Sequence, residues 1–113
     1  MELTPGLEIL EERAGSGPAA ASGDAVRYDC RIFLNHGDEI AMVHTGHETI
    51  LGKRRVIAGI ERTLTGMQGG GFRKARVSPH LAYGDTGVPD TIPPRAVLVI
   101  SLWLREIVSS ARA

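Results

Sequence analysis

Apolar and polar residues alternate along most of this chain with a period of two, and only once with the period of a helix. Val26, Tyr28, Cys30, Ile32 and Leu34 interleave with Arg27, Asp29, Arg31 and Phe33, the mark of a half-buried strand. Leu98, Ile100, Leu102 and Leu104 interleave in the same way with Val99, Ser101, Trp103 and Arg105, within a last strand over residues 96–108. Residues 7–11 and 72–77 predict shorter strands, the second with Ala75 and Val77 inward. Asn35-His36-Gly37-Asp38 is turn chemistry, so residues 39–43 return as a hairpin. A second loop is expected over 44–47, leading to Ile50 and Leu51. In residues 59–66, Ile60 and Leu64 with Met67 recur at i, i+4 and i+7, which predicts a helix with Gly66 closing it. Two turns are too few to stand alone, so this helix must pack on the sheet.

The remaining segments read as loops. Residues 14–23 are small and low in complexity. Residues 79–94 are rich in turn formers, and a loop of that length in a small domain usually carries function. The pattern therefore predicts a single α+β domain over 1–113, an antiparallel sheet of about five strands with one short helix on its apolar face.

Composition narrows the function classes. The 113 residues carry 13 Lys+Arg and 13 Asp+Glu, a formal net charge of zero, which argues against a nucleic-acid binder. No apolar run reaches the roughly 20 residues of a membrane span. Met1-Glu2-Leu3-Thr4-Pro5 lacks the basic start and apolar core of a secretory signal. The one cysteine, Cys30, allows no internal disulfide, and a reducing cytoplasm is expected. Aromatic residues are scarce, at 4%.

Candidate chemistry is sparse. Gly69-Gly70-Gly71 runs into a strand, so it is a turn and not a phosphate loop. His44 and His47, with Glu48 beside them, have metal-ligand spacing but no further ligand in register, so solvated histidines are expected and no metal. Cys30 faces inward with no cation on its own face, which describes an inert thiol. Trp103 is out of phase with Leu102 and Leu104. It belongs on the outer face, either as a partner anchor or as a ring packed under the N-terminal segment. Tyr28, Val56, Ile57, Ile60, Tyr83 and Ile92 are left. They are either core residues or the wall of an apolar pocket suited to a peptide side chain or ring.

Longer blocks decide between those readings by resemblance. Residues 51–61, Leu-Gly-Lys-Arg-Arg-Val-Ile-Ala-Gly-Ile-Glu, resemble the L-G-x-x-x-V-I-x-G-W-E segment of the FKBP-type peptidyl-prolyl cis-trans isomerases. Gly66-Met67 with Gly69-Gly70 resembles that family's helix exit. Residues 78–84, Ser-Pro-His-Leu-Ala-Tyr-Gly, resemble its S-P-x-x-A-Y-G, and Val26-Arg27-Tyr28 its early V-H-Y. Residues 87–99, from Gly87 through Ile92-Pro93-Pro94 to Val99, resemble its G-x-x-x-x-I-P-P-x-A-x-L ending. The blocks occur in order over nearly the whole chain. The resemblance implies a twisted antiparallel sheet wrapped on a short helix, with a pocket between them. It implies catalytic roles for Tyr28, Ile57 and Tyr83, with the Ile57 N–H and the Tyr83 hydroxyl donating to the ligand. It implies substrate contacts from Ile40, Val56, Ile60, Val88, Ile92 and Ile100. No cofactor is implied. The partners are proline-containing peptides or protein clients, with macrolide ligands held weakly.

The departures from the family pattern are specific. Ile60 stands where the family has a Trp floor, Ile40-Ala41 where it has a Phe-Asp pair, and Ile100 where it has an aromatic. The aromatic before the Leu-Gly segment falls near His47. A pocket with fewer rings holds proline less tightly. The expected function is thus a prolyl isomerase of reduced activity. The alternative is a non-catalytic module of the same fold that binds peptides or proteins.

Overall fold

The computed structural model describes residues 2–110, apart from the side chains of Ala41 and Met42. The strands are β1 (Glu2–Thr4), β2 (Leu7–Arg13), β3 (Ser16–Ala19), β4 (Ala25–Leu34), β5 (Glu39–Ile50), β6 (Gln68–Gly69), β7 (Phe72–Val77) and β8 (Leu98–Ser109). One helix, α1 (Ala58–Leu64), lies between β5 and β6. Six strands form one antiparallel sheet in the order β1-β2-β7-β8-β4-β5. That is one strand more than the pattern marks, because β1 is three largely polar residues with no period to read. No helix among the described residues is long and apolar enough to cross a membrane.

The period-two reading of the central strands fixes the core. Val26, Tyr28, Cys30 and Ile32 on β4 and Leu98, Ile100, Leu102 and Leu104 on β8 are all fully buried. They lie side by side in register, with Tyr28 opposite Leu104 and Ile32 opposite Ile100. Helix α1 closes this apolar face with Ile60 and Leu64. It approaches β7 closely because Gly59 has no side chain: a Cβ there would stand 2.6 Å from Val77 Cγ1. Gly66, at φ 90°, takes the left-handed turn beyond the helix end and directs the buried Met67 under the sheet.

The outer face carries cross-strand ion pairs such as Arg76–Glu8 at 2.7 Å and Arg31–Glu39 at 2.6 Å. Exposed pairs of this kind each stabilise by only about 0–1 kcal/mol. Trp103 belongs to this face. It is half-buried and lies against Phe72, its register partner on β7, with ring centroids 5.1 Å apart. The ring partner is thus on β7 and not in the N-terminal segment.

Three loop expectations are corrected. Residues 44–47 are not a loop, since β5 runs unbroken from Glu39 to Ile50. Residues 14–23 contain β3, which pairs with β6, and Ala20 is buried with its N–H bonded to Met67 O at 2.7 Å. β3 is exposed throughout and β6 is two residues long, so no side-chain pattern announces the pairing. The 79–94 segment contains a 3₁₀ turn over Pro79–Leu81 and an antiparallel bridge between Val88 and Ile92.

Candidate functional site

The site begins with an irregularity in β5. Tyr28 and Cys30 on β4 face His47 and His44, and the next paired position, Ile32, faces Ile40. Two-residue steps on β4 thus match steps of three and four on β5, which makes a bulged strand. In a regular strand, residues three apart point to opposite faces. The bulge cancels that alternation and sets both imidazoles beside Tyr28. Gly46 supplies the left-handed backbone at φ 59°. Its N–H donates to Asp29 Oδ1 at 2.7 Å. The other Asp29 oxygen accepts from Arg105 Nε at 2.8 Å. The Arg105 hydrogen bond, then the Gly46 N–H, hold the Asp29 carboxyl below the usual carboxylate range.

The three rings form one cluster. The Tyr28 hydroxyl meets His44 Nδ1 at 2.8 Å. Tyr28 stands edge-on to His44 and His47 at centroid distances of 5.6 and 5.5 Å, and the two imidazoles lie 4.8 Å apart. Burial, followed by the nearby Cys30 and Tyr83, raises the Tyr28 phenol well above its ordinary value, so it keeps its proton. Burial, then the neighbouring His47, holds His44 below the ordinary imidazole value, as suits an acceptor. The Cys30 thiol is buried and pushed up to about 12, a protonated and unreactive state.

Above this cluster opens a cleft of about 490 Å³. It is lined by His44 and His47 from β5, by Arg54, Arg55, Val56 and Ile57 before the helix, and by Ile60 and Tyr83. The turn before Val56 is fixed from behind, where Glu61 Oε2 accepts the N–H of Gly52 at 3.1 Å and of Arg54 at 3.2 Å. Gly52 and Arg54 both take left-handed backbone there, at φ 87° and 56°. Ile57 is extended, and its carbonyl accepts the N–H of Ile60 and Glu61. The Ile57 N–H donates to no group among the described residues, and neither does the Tyr83 hydroxyl. Burial, with Cys30 nearby, raises the Tyr83 phenol, so that hydroxyl remains a donor at neutral pH. The cleft mixes aliphatic side chains, rings and two arginines, and has two donors without a partner among the described residues.

The sequence-derived positions fall into two groups. Val56, Ile57, Ile60 and Tyr83 line the cleft; Tyr28, expected to be catalytic, is fully buried, does not line it, and reaches it only through His44. Ile40, Ile92 and Ile100 are buried in the core and do not line it, and Val88 packs against that core while bridging to Ile92. The side chain of Ala41 lies outside the described residues. The His44 imidazole and the two arginines were missed as wall residues. The His44-x-x-His47 spacing was visible, but only the bulge turns it into a shared face. A larger groove, of about 820 Å³, runs between β3 and the end of β8 and is lined by none of the expected site residues.

Comparison with known proteins agrees with this geometry. The sequence profile of FKBP-type peptidyl-prolyl cis-trans isomerase matches residues 17–104. The chain is 33% identical over 109 residues, 94% of its length, to the 46 kDa FK506-binding nuclear protein of Spodoptera frugiperda, covering 26% of that protein. It is 38% identical over 104 residues to FK506-binding protein 4 of Emericella nidulans, covering 90% of this chain and 22% of the relative. It is 35% identical over 100 residues to the human peptidyl-prolyl cis-trans isomerase FKBP10, covering 85% of this chain and 17% of the relative. The chain therefore spans about a quarter or less of these relatives. With the profile matched from β3 to β8 and the sheet, helix and cleft in place, the chain belongs to the FKBP-type peptidyl-prolyl cis-trans isomerase family.

Proposed function

We propose that this chain catalyses cis–trans isomerisation of X–Pro peptide bonds in proline-containing peptides or protein clients. The observation that carries the proposal is the pair of donors unpartnered among the described residues, Ile57 N–H and Tyr83 hydroxyl, at a cleft of about 490 Å³ that Val56, Ile57 and Ile60 help to line. Membership of the family supports it, as do relatives named as isomerases.

The chemistry asks little of the side chains beyond positioning. Partial double-bond character sets the amide barrier at about 18–20 kcal/mol. Twisting the bond removes the resonance, so the nitrogen becomes pyramidal and the carbonyl behaves more like a ketone. Val56, Ile57 and Ile60 hold the proline ring away from water. The Ile57 N–H and the Tyr83 hydroxyl donate to peptide carbonyls, and donors placed to fit the twisted form better than the planar one lower the barrier. Each tenfold in rate needs about 1.4 kcal/mol of such difference. Tyr28 is a positioning residue, since its hydroxyl is used by His44.

The substitution of Ile60 for the family's ring leaves an aliphatic side chain in the lining, to which His44 and His47 bring flat rings. Macrolides of the FK506 type, for which the relatives are named, are ligands for the same cleft and bind weakly here, because a floor ring is absent. The test is a Leu-Pro peptide whose trans form alone is cut by a protease. Relaxation of the cis fraction accelerates in proportion to added protein. A relaxation rate that stays at the buffer value up to high micromolar protein overturns the proposal.

A further inference from the structure

The cleft carries charge that bond rotation does not use. Lys53, Arg54 and Arg55 are three consecutive exposed cations, and the last two line the cleft. Arg27, Arg31, Arg73, Arg76, Arg95 and Arg105 each pair with a carboxylate, while Arg13 lies over the Phe72 ring and Arg62 donates to Thr4 Oγ1. The guanidinium groups of Arg54 and Arg55 pair with no carboxylate among the described residues. No Asp or Glu lines the cleft, which the two imidazoles share with the arginines. Glu61, at the same corner, is engaged by the backbone N–H groups of Gly52 and Arg54. A chain with no formal net charge thus concentrates positive charge at the mouth of its one family-defined cleft, where low-dielectric walls focus the field.

We infer that Arg54 and Arg55 are specificity-determining residues that select substrates with a carboxylate side chain immediately flanking the proline. This rests on the isomerase reading of the cleft. The backbone under Arg54 is already fixed by Glu61, so its planar fork loses less freedom when it closes on a carboxylate. The pair stays near the surface, so the preference is moderate and screened by salt.

The test uses one peptide scaffold with Glu, Gln or Lys beside the proline, on either side in turn. Binding is followed by the shift of the Ile57 amide in NMR titration, and isomerisation by exchange on the same samples. The Glu peptide should bind about three- to tenfold more tightly than its Lys counterpart at low salt. The ratio should approach one in roughly 0.5 M NaCl, where the Debye length falls below about 5 Å. It should reach or pass below one in the R54E/R55E double variant. The salt series on the wild-type chain decides the matter even where the variant folds poorly. Equal affinity for Glu and Lys peptides at low salt overturns charge selection whatever the isomerisation rate. A Glu preference in binding without any acceleration supports charge selection and defeats the isomerase reading instead.

Discussion

The Tyr28 hydroxyl and His44 Nδ1 stand 2.8 Å apart, joining a fully buried phenol to an imidazole that forms the cleft wall. Tyr28 holds its proton and can donate to Nδ1 of a neutral His44. Protonation of His44 is penalised because it places charge on a partly buried ring beside His47.

A pH dependence of stability follows. In the unfolded chain an imidazole titrates near its ordinary value of about 6.5. In the fold, burial and His47 hold His44 below that value. As pH falls through the ordinary value, the unfolded chain takes up the proton first, so folding is penalised. The stability from neutral His44 is complete above the unfolded value and is lost as pH drops towards the folded one. Urea denaturation between about pH 7.5 and 5.5 should show falling stability in the wild type and a flatter profile in His44→Gln. Equal slopes would remove His44 as the cause.

Tyr28→Phe keeps the ring and removes only the donor. It should destabilise by about 1 kcal/mol, the net worth of a typical hydrogen bond. Activity should fall modestly through a looser His44 wall, while the pH profile moves towards that of His44→Gln. A variant as stable as the wild type, with an unchanged pH profile, would show that the contact contributes nothing.

Glu61 acts on the cleft through backbone. Its Oε2 accepts two N–H groups from the turn that carries Arg54, Arg55 and Val56. Glu61→Ala should free this turn and lower kcat/KM for an X–Pro peptide by about threefold or more, with most of the loss in KM. Glu61→Gln keeps an acceptor oxygen and should recover much of it. Equal losses in both variants would mean that charge, and not the two hydrogen bonds, is what matters there.

The seating of the helix depends on the missing side chain at Gly59. Alanine there would normally favour a helix, by about 1 kcal/mol. Here its Cβ would meet Val77 Cγ1 at 2.6 Å and Leu81 O at 3.1 Å. Val77 is buried and stiff, so crowding should win, with net destabilisation of about 1–3 kcal/mol. Val77→Ala alone leaves a cavity, but the double variant should lose less than the sum of the two. Additive losses in denaturant titrations would place the strain elsewhere.

Most of the frame was legible because β4 and β8 are long and half-buried, and a period of two survives wherever one face meets the core. The helix showed through Ile60 and Leu64, and the cleft residues Val56, Ile57, Ile60 and Tyr83 through the order of the matching blocks. What escaped has a common cause. β3 is exposed on both faces and β6 is two residues long, so neither carries an alternation of buried and exposed positions. The β5 bulge breaks the alternation that would have revealed a strand, so His44 and His47 read as loop residues. Ile40, Ile92 and Ile100 were assigned to the substrate by resemblance, but here they fill the core, where an aliphatic side chain packs equally well. Arg54 and Arg55 stand apart only in the fold, where the other described arginines each meet a carboxylate, a ring or a hydroxyl.

The central claim is that two donors at the Val56–Ile57–Ile60 cleft turn an X–Pro bond. NMR exchange spectroscopy on a Phe-Pro peptide reads that event directly, as cis–trans exchange in the presence of the protein. The wild type should bring exchange from the uncatalysed scale of tens of seconds into the range the experiment detects. Tyr83→Phe, equally folded, should slow it by about three- to tenfold, one hydrogen bond's worth. Exchange no faster than in buffer, or a Tyr83→Phe protein as fast as the wild type, would contradict this account.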